Sequence, residues 1–175
     1  TIPEGKRAAE ISEILKEKIP TYDLSWRNVL AAQEGYLFPD TYLIYKDASI
    51  DDIIRKMVDN FDKKLLSEMQ RDIDDLNFTI HEIVTLASII EKEVGSDEDR
   101  KMVSGIFHKR LKLGMGLQAD STINYITGKN ETRSSFDDIS LDNPYNTYKY
   151  RGLPPGPINN PSLSSLLAAT YPKMS

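Results

Sequence analysis

The sequence predicts a single α+β domain in which helices dominate. Apolar residues recur at helical spacing through most of the chain, whereas residues 143–161 are too rich in Pro, Gly and Asn to be helical. The chain has 175 residues, of which 39% are hydrophobic and 28% charged, and this is enough apolar material for one buried core. We therefore expect a helical domain with a small β-hairpin at residues 145–150, followed by a constrained loop.

The first half of the chain is predicted to contain three helices and one short strand. Apolar residues at helical spacing, ended by Pro20, indicate the first helix. Residues 34–49 combine Gly, Pro and Asp with several aromatic residues, which favours an ordered loop leading into a strand at residues 42–45. The predicted helices of this half cover residues 7–19, 25–33 and 50–70.

The helix predicted for residues 80–94 has the clearest boundaries. Thr79 and Glu82 have the spacing of a capping box, and Gly95 is a natural stop at the other end. The helix is apolar almost to its last turn, and residues 91–93 then read Glu-Lys-Glu. Such an ending is ordinary where a helix reaches solvent, but it would also suit a catalytic acid.

Periodicity does not choose between Glu91 and Glu93, because at about 100° per residue each lies about 80° from the centre of the apolar face, on opposite flanks. Position along the helix favours Glu93. The exposed carbonyls of the last turn disfavour an ionised carboxylate, and partial burial beside Val94 and Ile90 acts in the same direction. A general acid needs a carboxyl that is still protonated near neutral pH. Glu93 is therefore the candidate acid, with a solvated helix end as the simpler alternative.

Three more helices are predicted in the second half of the chain. Ser96 with Asp99 can cap the first, and Asp120 or Ser121 is expected at the N-cap of the second. The polar stretch before the hairpin, residues 129–143, is expected to be exposed. The three helices cover residues 96–114, 120–128 and 162–170.

Composition argues against several classes of function. The absence of cysteine removes disulfides, thiolate nucleophiles and Cys-ligated metals, and neither His81 nor His108 lies in a recognisable metal or triad motif. A net charge of −5 without a basic stripe argues against nucleic acid as a partner. The acidic residues 96–100 do not have the spacing of a calcium-binding loop. No segment is apolar enough to span a membrane and no signal peptide is visible, although both chain ends look cut from a longer protein.

Three blocks of sequence are long and chemically unusual: EGYLFPDTY from residue 34, LASIIEKEVGSDEDRKMVSGIFHKRLKLGMGLQADSTINY from residue 86, and NPYNTYKYRGLPPGPINNPSLSSLLAA from residue 143. In sequence and in order they resemble the YceG-like (MltG) family of endolytic murein transglycosylases. The resemblance implies that residues 1–175 are a catalytic domain with a lysozyme-like cleft, lacking the family's N-terminal membrane anchor, its LysM-like domain and part of its C-terminal end. It also implies a location outside the cytoplasmic membrane, cell-wall synthases as partners, and no metal or organic cofactor.

The resemblance further implies internal cleavage of peptidoglycan glycan strands between N-acetylmuramic acid and N-acetylglucosamine, which leaves a 1,6-anhydro ring on the muramic acid. Glu93 matches the family's catalytic glutamate. One carboxyl suffices for this reaction, because it can first protonate the glycosidic oxygen and then accept the proton of the sugar's 6-hydroxyl. Two other functions stay open: a glycan-binding or scaffold module that does not cut, and a hydrolytic muramidase.

The family blocks also contain the residues that we expect to bind the substrate. All except Gln118 have a structural alternative: a helix N-cap for Asp120, a hairpin core for the Tyr-Asn-Thr run, and a packed aromatic loop for Tyr36. For Asn146 and Thr147 the expected role is to position Glu93 or the acetamido group of the sugar. The predicted substrate-binding residues are Gln118, Asp120, Tyr145, Asn146, Thr147 and Tyr36.

Overall fold

The computed structural model describes residues 1–173, except for the side chains of residues 66–68, and this described part folds into eight helices. None of the helices in it is both long enough and apolar enough to cross a membrane. In chain order they are α1 (Ala8–Lys18), α2 (Trp26–Ala31), α3 (Ile50–Asp75), α4 (Ile80–Glu93), α5 (Asp97–Lys112), α6 (Asp120–Thr127), α7 (Phe136–Ile139) and α8 (Leu163–Thr170).

Helix α4 lies at the centre of the fold. All of its residues from 83 to 90 are buried, and it packs against α8, α5, α6 and α3. A helix that is buried all round must be apolar on every face, which explains why its sequence is apolar almost to the last turn. The capping box is confirmed, since the Thr79 hydroxyl accepts from the Glu82 amide at 3.2 Å and the Glu82 carboxylate accepts from the Thr79 amide at 2.8 Å. This central helix fixes the position of the Glu-Lys-Glu run at its end.

Two hydrophobic clusters build the core. The larger surrounds α4 and includes Leu86, Ile90 and Phe107, together with the second half of α3 and residues of α8. The smaller joins α1, α2 and the first turns of α3 around Leu30 and Met57. Helix α3 contributes to both clusters and therefore connects the two halves of the domain.

The seven predicted helices are confirmed, with two differences in the helical regions. Helix α3 continues to Asp75, five residues beyond its predicted end, because the buried Met69 and Ile73 extend its apolar stripe. Helix α7 lies in the segment predicted to be polar and exposed. It is a single turn in which the Ser135 side chain accepts a hydrogen bond from the Asp138 amide, and one turn is too short to show periodicity in the sequence.

The predicted dominance of helices is confirmed, but the β part of the fold class is not, because no strand occurs in the described residues, whose only bridges are two isolated ones, Lys6 with Asn160 and Gly116 with Gly152. The strand predicted at residues 42–45 is absent. Tyr42 and Ile44 pack against the core while Leu43 and Tyr45 are 90% and 79% exposed, so the alternation of a strand is present. Within the described residues no other segment pairs with this backbone in a bridge, and therefore no strand forms. The domain is helical with long ordered loops.

The predicted hairpin at residues 145–150 is also wrong, and asparagine side chains are the reason. Asn143 accepts a hydrogen bond from the Tyr145 amide at 2.9 Å. The buried Asn146 donates to the carbonyls of Ile139 and Leu141 and accepts from two backbone amides further along the chain. These bonds wind the segment into successive turns, so its backbone groups are not available to pair as strands.

Asn160 joins three segments that are far apart in the sequence. Its side-chain oxygen accepts from the amides of Gly35 and Leu37 at 2.8 and 2.9 Å. Its side-chain nitrogen donates to the Lys6 carbonyl at 2.9 Å and to the Glu34 carboxylate at 2.8 Å. The N-terminal segment, the loop after α2 and the loop before α8 are therefore held at one point.

Candidate active site

The two glutamates at the end of α4 contact different helices. Glu91 lies at the N-terminus of α8, where its Oε2 accepts from the Ser162 amide at 3.0 Å, the Ser162 hydroxyl at 2.6 Å and the Ser165 hydroxyl at 2.5 Å. Its Oε1 lies 3.6 Å from Arg100, and its side chain is only 7% exposed. Glu91 is therefore a structural tie between α4, α5 and α8, with both of its oxygens in use.

Glu93 contacts the N-terminus of α6. Its Oε1 accepts from the Ser121 hydroxyl at 2.7 Å and from the Ser121 amide at 3.4 Å. Within the described residues nothing donates to Oε2, and the residue is partly exposed. One oxygen of this carboxyl is thus fixed by the protein, and the other remains available to a substrate.

A buried threonine pair holds the start of α6 in place. The Thr147 hydroxyl accepts from the Ala119 amide at 3.0 Å and lies 2.9 Å from the Thr122 hydroxyl, which donates to the Ala119 carbonyl at 2.8 Å. The N-cap of α6 is Ala119, so the expectation of Asp120 or Ser121 at this position is wrong. Thr147 accepts the hydrogen bond of the N-cap amide, which in a capping box is accepted by the side chain of the third helical residue.

Asp120 and Tyr148 form a second contact beside Glu93. The Tyr148 hydroxyl and the Ser134 amide both donate to Oδ1 of Asp120 at 3.0 Å. Burial favours a higher pKa for Asp120, but the hydrogen bonds from Ser134 and Tyr148 and the charge of Arg133 outweigh it and hold the pKa below its usual range. Burial, the bond to Asp120 and the charges of Asp120 and Glu93 raise the pKa of Tyr148 to about 12. Tyr148 is therefore a neutral donor that lies within the electrostatic field of Glu93.

Gln118 lies on the surface next to this group. Its backbone has a φ of +53°, a left-handed conformation that is uncommon outside glycine, and its amide donates to the Thr147 carbonyl at 3.1 Å. The preceding Gly116 passes so close to Thr147 that an added Cβ would stand 2.7 Å from that carbonyl oxygen. This close approach needs glycine, and it leaves the Gln118 side chain exposed at the start of α6.

Asn146 and Thr147 are 0% and 2% exposed, and their side-chain groups are bonded within the protein. Asn146 folds the turns of its own segment, and Thr147 holds the N-cap of α6. Neither side chain is exposed for direct contact with a sugar, and the positioning role expected from the sequence stays a prediction.

Tyr36 and Tyr145 lie near the Pro-rich loop, and their rings contact Phe61 and Tyr125 respectively. The Tyr36 hydroxyl lies 3.1 Å from Nδ1 of His81, whose Nε2 lies 2.8 Å from the Pro155 carbonyl. A Cβ on Gly156 would stand 3.4 Å from the Tyr145 hydroxyl and 3.5 Å from the His81 ring. The six predicted substrate-binding residues thus fall into two groups, one at the start of α6 and one at the Pro-rich loop.

A cavity of about 420 Å³ lies elsewhere, between residues 44–48 and the first turns of α3. None of the predicted site residues lines it, and its charged residues carry both signs, with Asp47, Asp52 and Asp59 facing Arg55 and Lys56. Because nothing in this lining matches the expected chemistry, we place the candidate site at Glu93.

Sequence reasoning missed Ser121 and Tyr148 as members of this site. The sequence predicts Ser121 only as a possible helix N-cap, although it follows Gln118 and Asp120 in the same family block. Tyr148 belongs to the same Tyr-Asn-Thr-Tyr run as Tyr145. Membership of these motifs is the sequence signal that could have marked both residues as part of the site. Their contacts, of Ser121 with Glu93 and of Tyr148 with Asp120, depend on the fold.

Comparison with known proteins agrees with the resemblance seen in the sequence. A profile described as the YceG-like family matches residues 1–175. A Bacillus subtilis protein named endolytic murein transglycosylase is 39% identical over 165 residues, covering 90% of this chain and 45% of the relative. A Streptococcus pneumoniae protein of the same name is 40% identical over 157 residues, covering 87% of this chain and 28% of the relative.

A solved structure of a YceG-like protein has the same fold as this chain. The crystal structure of a YceG-like protein from Listeria monocytogenes is similar with a TM-score of 0.85 and 33% sequence identity, covering 99% of this chain and 66% of that one. This chain spans less than half the length of both curated relatives. The family profile, the two relatives and the shared structure lead to one conclusion, that the chain belongs to the YceG-like family.

Proposed function

We propose that this protein is an endolytic lytic transglycosylase of peptidoglycan, with Glu93 as its single general acid and base. It cleaves the bond between N-acetylmuramic acid and N-acetylglucosamine within nascent glycan strands and leaves a 1,6-anhydro end. The names of the Bacillus and Streptococcus relatives support this substrate class. The observation that carries the proposal is the contrast at the end of α4, where Glu91 is saturated and Glu93 keeps one oxygen accessible.

Glu93 acts twice in the proposed reaction. In the first step its carboxyl gives a proton to the glycosidic oxygen as the bond from C1 of the muramic acid breaks, while the sugar's 2-acetamido group supports the positive charge at C1. In the second step the carboxylate takes the proton of the 6-hydroxyl as that oxygen bonds to C1. The proton that Glu93 gives in the first step is replaced by the proton that it takes in the second, and no water is consumed. The reaction therefore does not need the second carboxylate that ordinary glycosidases use.

We assign substrate contact and positioning to other residues of the candidate site. Gln118 and Asp120 contact acetamido or hydroxyl groups of the glycan from the start of α6. Thr147 and Asn146 hold the backbone that carries them. Tyr36 and Tyr145 form an aromatic wall of the proposed lysozyme-like cleft.

The proposal extends to location and partners. The relatives are longer than this chain, which leaves room for the membrane anchor that we expect to hold the domain outside the cytoplasm. Peptidoglycan strands are the substrate, and the synthases that make them are the proposed protein partners.

Replacement of Glu93 by Gln tests the proposal. The amide keeps the size and the hydrogen bond from Ser121 but cannot donate an acidic proton, so we expect 1,6-anhydro ends to fall by about 100- to 10,000-fold. The products are measured by mass spectrometry after the intact protein is incubated with peptidoglycan glycan strands. Glu91→Gln is the matched control, because it makes the same change two residues away and should lower stability while the folded protein keeps its activity.

Three other results would each contradict the proposal. Undiminished 1,6-anhydro formation by Glu93→Gln would contradict the role of Glu93. Products heavier by one water would indicate a hydrolytic muramidase. If the unaltered intact protein binds glycan strands and forms no new ends, it is a binding module and the proposal is wrong.

A further inference from the structure

Ser121 makes both of the hydrogen bonds that Glu93 receives from the described residues. Its hydroxyl lies 2.7 Å and its amide nitrogen 3.4 Å from the same oxygen, Oε1. A carboxyl oxygen that accepts from two donors is a poor place for the acidic proton, because the proton would point at groups that are themselves donors. The proton of a neutral Glu93 therefore belongs on Oε2.

We propose that Ser121 is a positioning residue, which holds Oε1 of Glu93 so that Oε2 faces the glycosidic bond with the acidic proton. This inference rests on the proposed function of Glu93. It adds a residue whose hydroxyl touches no reacting atom and acts through the carboxyl that it orients. A fixed carboxyl is close to the geometry of reaction before the substrate arrives, whereas a free glutamate side chain must lose rotational freedom first.

The position of Ser121 is itself constrained. It is the second residue of α6 and is only 7% exposed. The turn that precedes it is pinned by the bonds among Thr147, Ala119 and Thr122, all between 2.8 and 3.0 Å. A shift of Ser121 would have to break this buried network. The carboxyl is thus fixed from α6 as well as from α4.

The same contact serves the charged form of Glu93. After the proton has left, the carboxylate lies at the N-terminus of α6, where the backbone amides and the Ser121 hydroxyl favour negative charge. Oε1 keeps its donors, and Oε2 is the oxygen that accepts the proton of the 6-hydroxyl. One fixed arrangement is therefore suited to both steps, and no side chain has to turn between them.

The experiment compares Ser121→Ala with Ser165→Ala in the intact protein. Ser165 is a matched control because it is buried and donates its hydroxyl at 2.5 Å to Glu91, the other glutamate of the same helix end. The readouts are kcat and KM for 1,6-anhydro formation on soluble glycan strands, the dependence of kcat on pH, and thermal unfolding of each variant.

We expect Ser121→Ala to lower kcat by about 10- to 100-fold with KM little changed, since a loosened acid affects the reaction more than binding. Loss of the donor should also change the dependence of kcat on pH, because the Ser121 hydroxyl contacts the carboxyl that acts as acid and base. Ser121→Thr keeps the hydroxyl and should restore most of the rate. Ser165→Ala should lower the unfolding temperature and leave the pH profile in place.

Ser121→Cys covers the case in which the alanine variant does not fold, because it keeps the side-chain size with a weaker donor. Unchanged kcat and an unchanged pH profile in Ser121→Ala or Ser121→Cys, with Glu93→Gln inactive, would overturn the role of Ser121 and leave the proposed function standing. An equal change of the pH profile in Ser165→Ala would also overturn it. An active Glu93→Gln would refute the proposed function itself.

Discussion

The carboxyl of Glu34 makes the stability of this domain depend on pH. It lies beside the first turn of α1, where its two oxygens lie 2.9 and 3.1 Å from the Ala8 amide and accept its hydrogen bond. The Asn160 side chain donates to it at 2.8 Å. Burial raises the pKa of Glu34 from 4.5 to about 7, against these hydrogen bonds and the nearby charge of Arg7, with a small contribution in the same direction from Glu10.

The sign of the effect follows from the raised pKa. Between pH 4.5 and about 7 the folded protein holds this proton more tightly than the unfolded chain, so the stabilising contribution is complete below pH 4.5 and is lost as the pH rises through 7. A difference of 2.5 pKa units between 4.5 and about 7 corresponds to about 3 kcal/mol of unfolding free energy. This amount is a large part of the stability of an ordinary domain.

Glu34→Gln removes the titrating group and isolates its effect. Urea unfolding is measured for the unaltered protein and the variant at several pH values across this range. The unfolding free energy of the unaltered protein should fall relative to that of the variant by about 3 kcal/mol as the pH rises. Any cost of the amide itself is constant with pH, so only the slope of the difference matters. A difference that stays constant across the range, or that grows in the opposite direction, would refute this reasoning.

Three further changes test the packing around the site. Glu91→Gln should lower the unfolding free energy by about 2 kcal/mol in urea unfolding, because charge-assisted bonds from Ser162 and Ser165 are weakened and Arg100 keeps only Asp97 as an ionised partner; equal stability would mean that this tie is dispensable. Asn146→Ala should cost about 2 kcal/mol in the same assay by leaving buried backbone groups without partners. Hydrogen exchange should quicken more in residues 139–149 than in the rest of the chain, and an equal increase everywhere would contradict a local role. Leu86→Ala, in the fully buried centre of α4, should cost about 3 kcal/mol, and a cost below that of an exposed leucine such as Leu43 would be inconsistent with the central place of this helix.

The helices could be predicted from the sequence because their signals are local. The apolar spacing and the pairing of Thr79 with Glu82 each involve residues within one or two turns, and the structure contains the helices that they indicate. The hairpin prediction was wrong because the bonds of one side chain determine the path of this segment. Tyrosines and Pro-Gly punctuation are typical of hairpins, but the side chain of Asn146 makes four bonds to its own neighbourhood and turns the chain instead.

The candidate site could be predicted only in part. Both Glu91 and Glu93 lie on the flanks of α4, and the periodicity of the helix does not tell them apart. The distinction comes from Ser162, 71 positions after Glu91, and from Ser121, 28 positions after Glu93. Which serine meets which glutamate depends on how α8 and α6 dock against α4, and periodicity carries no information about that docking.

The junction at Asn160 also sets the order in which the chain can assemble. Its bond to the Lys6 carbonyl spans 154 positions, so the loop after α2 and the start of α1 cannot reach their final places until nearly the whole chain is present. Contacts of such long sequence separation slow folding, because a large loop must close before they form. During synthesis the N-terminal helices therefore leave the ribosome long before their partner, and a chain interrupted before residue 160 would keep the small hydrophobic cluster while its N-terminal segment and Glu34 lacked their anchor.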